Sequence, residues 1–258
     1  MSIAIPANFD YLKEKLDYNE RVVRDVFRLN VENWAKFRYT IAVGTRTSRL
    51  SGMCGSSITD DAKDAYLNLG KCHYEVVCSL GYCTKAVYDV YTENQFVVGK
   101  AIKEFYFHAG ALLDNLARLV FIINIPSGHS EKNKKGVYLR HSIDRGQLLS
   151  KYKQHINSYV PLLKSPLIEE LVNVRNAMTH YWKIPLEDGK WPRGELKSTK
   201  AFAWPYDEAQ FHEYEDWQPV PDIIKEHWQE IERVQNDVFG LLIADIPKFE
   251  QSISATIG

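Results

Sequence analysis

Apolar residues recur at steps of three and four along most of this sequence, and that period commits the chain to helices. The clearest run lies between about Val97 and Ile123, where Ile102, Phe105, Ala109, Leu112, Leu116, Leu119 and Ile123 form one stripe. At about 3.6 residues per turn these positions share a face that must be buried against a neighbour. Residues 9–37 repeat the pattern with Phe9, Leu12, Leu16, Val23, Val26, Phe27 and Trp34. After a Gly/Ser/Thr-rich break at 44–59, Thr59 or Asp60 is the N-cap of a helix carrying Tyr66, Leu69, Val76, Leu80 and Val87. A further helix is expected over 145–159, stopped by Pro161. Ser165 followed by Pro166 is an N-cap and first-turn signal for a helix reaching Trp182. Asp222 caps a last helix, running to 247, with Ile224, Trp228, Ile231, Val234, Val238 and Leu242 on its inner face.

Two further stretches lack the period. Residues 126–136 read as a polar loop, because Pro126, Ser127 and Gly128 are followed by a charged run with no apolar spacing. Residues 186–220 are rich in Pro and Trp, and predict an irregular insertion with one short hairpin. The expected fold is therefore all-α: a single domain over 1–258, built as an up-and-down bundle of about six helices, with the insertion before the last one.

Composition narrows the function. The chain has 258 residues, 45% of them hydrophobic, and its 32 Lys and Arg nearly balance 33 Asp and Glu. Such a balance excludes a uniformly basic nucleic-acid coat but not a local basic patch. Residues 1–10 show no signal-peptide pattern, and the greasiest run, 119–125, is too short to span a bilayer. A soluble, cytoplasmic protein with no membrane contact is expected. Cys54, Cys72, Cys78 and Cys83 form neither a CxxC pair nor a zinc knuckle, so they read as reduced structural thiols. No metal site and no cofactor are expected. Nucleotide-fold, P-loop, esterase and zincin motifs do not occur.

Charge is concentrated in one place. Between Glu131 and Lys153 stand Lys132, Lys134, Lys135, Arg140, Arg145, Lys151 and Lys153, against only Glu131 and Asp144. This run reads either as a solvated surface or as a rim that collects phosphates. Lys132, Lys134, Lys135, Arg140 and Arg145 are its candidate RNA-binding residues.

The chemistry centres on the helix that begins at Ser165. Arg175 falls in the middle of an apolar arc containing Ile168, Leu171, Val174 and Met178. A guanidinium cannot be neutralised, so burying it without a partner costs several kcal/mol. Asp114 lies midway between Phe107 and Phe121 on a second ridge of the preceding long helix, and is the expected partner, with Asn115 beside it. Asn176 and His180, four residues apart, border the same stripe as Arg175.

Arg175-Asn176-x-x-x-His180 resembles the Arg-polar-x3-His motif of HEPN domains, the higher eukaryotes and prokaryotes nucleotide-binding superfamily. The segment Leu113-Asp114-Asn115-Leu116-Ala117 is similar to their acidic helix. The resemblance covers 60–185. It implies a HEPN-like bundle and a metal-independent ribonuclease whose site forms across a homodimer. Arg175, Asn176 and His180 would be catalytic, and Asp114 and Asn115 supporting. RNA and a second copy are the implied partners, with an antitoxin or regulatory protein as a third. Toxin or antiviral-defence roles are common in that family. A His near its ordinary pKa can take the 2′-hydroxyl proton, and Arg offers a planar fork to phosphate oxygens. The alternative is a non-catalytic helical dimer that binds nucleotide, RNA or a protein partner.

Overall fold

The computed structural model describes residues 60–91, 94–179, 188–196 and 216–255. The helix expected over 9–37, Cys54 and Trp182 lie outside them. The described residues are mostly helical, as an all-α class requires. The helices are α1 (Asp60–Asp89), α2 (Gln95–Asn124), α3 (Leu139–Ser142), α4 (Arg145–Lys151), α5 (Val160–Leu163), α6 (Pro166–Thr179), α7 (Arg193–Leu196) and α8 (Val220–Ala255). Two short strands, β1 (Lys190–Pro192) and β2 (Trp217–Pro219), pair antiparallel with Trp191 opposite Gln218.

These residues group into two compact units. The first holds Ser79–Gly110 and Lys164–Arg233. Its core gathers Leu80, Val87, Phe105, Ala109, Ile168, Leu171, Val174, Trp191 and Ile231. Trp228 donates its indole N–H to Thr84 Oγ1 at 3.2 Å, which satisfies a buried polar pair inside that core. The second unit holds 60–78, Ala111–Leu163 and 234–255. Leu112, Leu116, Phe121, Ile143, Leu148, Ile156, Val238 and Phe249 are buried there. Cys72 and Cys83 are free, buried thiols and Cys78 is free and half-buried; burial pushes the Cys72 thiol up to about 11.

Local chemistry sets the helix boundaries. Asn94 Oδ1 accepts from the Phe96 and Val97 amides, so α2 starts two residues ahead of the expected Val97. Although α2 passes the length and composition test for a membrane span, 72% of its most apolar window is buried in protein. Ser165 accepts from the Ile168 amide at 3.3 Å with Pro166 opening α6, the arrangement its sequence predicts.

Three expectations need correction. The helix expected over 145–159 stops at Lys151. Tyr152 leaves helical geometry, buries its ring edge-on to Phe121, and donates its hydroxyl to Glu131 at 2.8 Å; a tertiary contact has overridden the local pattern. The last helix starts at Val220 and runs past 247 to Ala255 with Pro247 inside it. The ring removes one backbone donor there, but Ile246 and Phe249 remain buried on either side and hold the helix. The strands of the 186–220 insertion do pair, but a 24-residue connection containing α7 separates them, not a tight turn.

The 126–136 segment is more ordered than a polar loop need be. Asn133 Oδ1 accepts from the Lys135 and Val137 amides, Gly136 takes φ +77°, and Lys132 bridges to Tyr138.

Candidate active site on helices α2 and α6

In the first unit, α6 lays the Arg175 side chain across Gly110 of α2. A Cβ added at Gly110 would stand 2.9 Å from Nε and 3.3 Å from Cγ of Arg175, so any larger residue there would push the Arg175 side chain out of its present path. This resolves the oddity of an arginine in an apolar arc. The aliphatic stem covers helix backbone while the guanidinium reaches out of the core. Nη1 donates to Asn176 Oδ1 at 3.3 Å, which makes Asn176 a positioning group for Arg175.

Arg175 opens onto a cleft of about 380 Å³. Its walls are Lys103, Glu104, Tyr106 and Phe107 from α2 and Arg175, Met178 and Thr179 from α6. The α2 residues follow from helical periodicity, since Lys103 and Phe107 are four apart and share a face. His180 lies outside the described residues.

The ridge expected from Phe107 to Phe121 does not form as one face. Phe121 is fully buried in the second unit, whereas Phe107 is 66% exposed at the cleft. In the second unit, Asp114 Oδ1 accepts from the Arg145 amide at 3.1 Å. Asn115 donates to the Ala111 carbonyl and accepts from Arg118, which itself donates to the Ile143 carbonyl. These bonds tie both residues into the second unit.

The basic segment also divides. Lys132, Lys134 and Lys135 are exposed, with the Lys132 ammonium 4.6 Å from the Tyr138 ring centroid. Arg140 and Arg145 are buried. The Arg140 guanidinium donates to the His129 carbonyl and stacks over Tyr138; that of Arg145 donates to the Leu163 carbonyl at 2.6 Å. These two arginines tie loops together and present no guanidinium to a phosphate.

Behind the cleft runs a buried polar chain that periodicity alone missed. The Tyr106 hydroxyl is 2.9 Å from His227 Nδ1, and His227 Nε2 is 3.3 Å from Glu170 Oε1. Arg193 Nε is 2.6 Å from the same oxygen, and its other nitrogens reach Glu226 and Gln218. Burial lowers the His227 pKa, against the pull of Glu170, and pushes Tyr106 well up. The neutral His227 can thus accept from Tyr106 through Nδ1, while its Nε2 lies close to Glu170 without hydrogen-bond geometry. The legible signal was Glu170 beside Ile168, Leu171 and Val174 on the apolar side of α6. A carboxylate in that place needs cations nearby.

The chain matches no family model, no curated protein and no solved structure. Among the described residues, no group of three His, Cys, Asp or Glu side chains is gathered to hold a metal ion.

Proposed function

We propose that this chain is a metal-independent endoribonuclease of the HEPN type, acting as a homodimer. The observation that carries the reading is Arg175, which lines an open cleft and bonds Asn176, with His180 four residues beyond Asn176 in the sequence. In the reaction, His180 takes the proton of a ribose 2′-hydroxyl. The oxygen attacks the adjacent phosphorus, forming the 2′-O–P bond. Arg175 neutralises the charge that develops on the phosphorane oxygens. The P–O5′ bond then breaks, and the departing oxygen takes a proton from the protonated His180 of the second copy. A base and an acid on two copies are what a two-fold axis supplies. The nucleophile belongs to the substrate, and His and Arg between them cover proton transfer and charge. Exposed Lys132, Lys134 and Lys135 add a non-specific attraction for RNA backbone. A toxin or antiviral effector acting in the cytoplasm, restrained by an antidote protein, is the role we attach to this activity.

The test is incubation of the full chain with RNA in EDTA. Wild type yields 2′,3′-cyclic phosphate termini, and His180→Ala yields none while its circular dichroism and dimer mass stay unchanged. Full cleavage by a folded His180→Ala dimer contradicts the mechanism. The second reading, a binding module without catalysis, draws on the large exposed ring of Phe107 at the cleft. It predicts RNA binding with no new termini from either protein.

A further inference from the structure

We propose that the α2/α6 cleft is a nucleobase subsite selective for guanine, in which Phe107 stacks on the base and Glu104 reads its Watson–Crick edge. This deepens the ribonuclease reading, because it takes Arg175 as the group that holds the adjoining phosphate.

Phe107 is 66% exposed on a helix whose other large apolar residues are mostly buried. The ring is not isolated. It meets His108 edge-on at 5.4 Å, and His108 stacks on Tyr82 at 4.5 Å and 22°, with Tyr82 itself 41% exposed. Burial lowers the His108 pKa, so near neutral pH it completes an uncharged aromatic row. An exposed ring such as Phe107 at the cleft is a platform for an unstacked base of single-stranded RNA, because every base has a π-face to offer.

The polar groups select among bases. Lys103 and Arg175 line the same cleft and suit phosphate, while Glu104 is the carboxylate among its walls. A carboxylate only accepts hydrogen bonds. Guanine places two adjacent N–H donors, N1–H and N2–H, on its Watson–Crick edge, matching the two oxygens. Adenine and cytosine put a ring-nitrogen acceptor beside their amino group, and uracil flanks its one N–H with two carbonyls. Each of these turns a lone pair toward the carboxylate. Glu104 is 3.4 Å from Lys100 in an exposed contact, which is weak enough to be exchanged for a ligand.

The experiment is titration of the full-length protein with the 3′-monophosphates of guanosine, adenosine, cytidine and uridine, followed by calorimetry. Guanosine 3′-monophosphate is expected to bind about tenfold tighter than the uridine compound. Phe107→Ala should weaken all four by about tenfold. Glu104→Gln, an isosteric change at a half-buried position with little expected effect on melting temperature, should abolish the guanine preference. Equal binding of the four nucleotides overturns the proposal. So does a Phe107→Ala variant that keeps its nucleotide affinity but loses dimer mass in sedimentation, since the ring then belongs to a contact between copies. A protein that ranks guanine first but cleaves no RNA retains the subsite and loses the ribonuclease reading. One that cleaves RNA without base preference does the reverse.

Discussion

Arg145 in the second unit and Arg175 in the first are both helical cations, yet their surroundings differ in kind. Arg145 is buried, its guanidinium donates to the Leu163 carbonyl at 2.6 Å, and its amide is held by Asp114. Arg175 buries only its stem, over Gly110, and turns its guanidinium to a cleft beside Asn176. A buried guanidinium that bonds a carbonyl stabilises the fold and is closed to a ligand arriving from solvent. One whose stem alone is packed is positioned and still available. The two regions teach that a cation's value for function is set by what its nitrogens already bond, not by local charge density.

The sharpest way to probe that contrast is to remove buried charge from the unit that carries the cleft. Glu170→Ala leaves Arg193 and His227 buried without their shared carboxylate, and should cost about 3–5 kcal/mol in urea denaturation. A loss below about 1 kcal/mol would mean the polar chain behind Tyr106 is not a structural unit. Next in size, Arg145→Ala strands the Leu163 carbonyl, and should cost about 2–3 kcal/mol. If instead it weakens RNA binding with stability unchanged, the distinction between the two arginines collapses.

A smaller, pH-dependent effect is expected at Glu232. Burial pushes its carboxyl from 4.5 up to about 7. The folded state thus holds a proton that the unfolded chain has already released above pH 4.5. Glu232's contribution to stability is greatest below pH 4.5 and is lost as pH rises to about 7. Glu232→Gln should therefore melt higher than wild type at pH 8, the gap closing toward pH 4; a pH-independent gap would refute the burial argument. Smallest of all, Lys134→Ala, at an exposed position, should change stability by less than about 0.5 kcal/mol. It should also flatten the salt dependence of RNA binding by about one unit of slope.

Much of this was legible in the residue order. Stripe spacing located α1, α2 and α6, and the Ser165-Pro166 pair marked the start of α6, because these signals act within a few residues. Arg175 stood out because a cation in an apolar arc demands an explanation. Its solution was not legible, since Gly110 lies 65 positions away and nothing local links the two. The same limit hid the separate fates of Phe107 and Phe121, which occupy equivalent helical positions but meet different neighbours. Arg140 and Arg145 misled for a related reason: net charge along a segment does not reveal which carbonyls its side chains will meet. The polar chain from Tyr106 to Arg193 joins residues from α2, α6, α7 and α8, and periodicity singled out none of them, because their partners are set by packing between helices.

The most direct test of the central claim is the single-turnover rate of RNA cleavage by Arg175→Ala beside wild type, in EDTA, with melting temperature measured in parallel. Loss of a preorganised group that stabilises transition-state charge should slow cleavage by about 10²–10³-fold. The fold should remain, since the guanidinium reaches the cleft and only the stem packs over Gly110. A folded Arg175→Ala variant that cleaves at the wild-type rate would contradict the account.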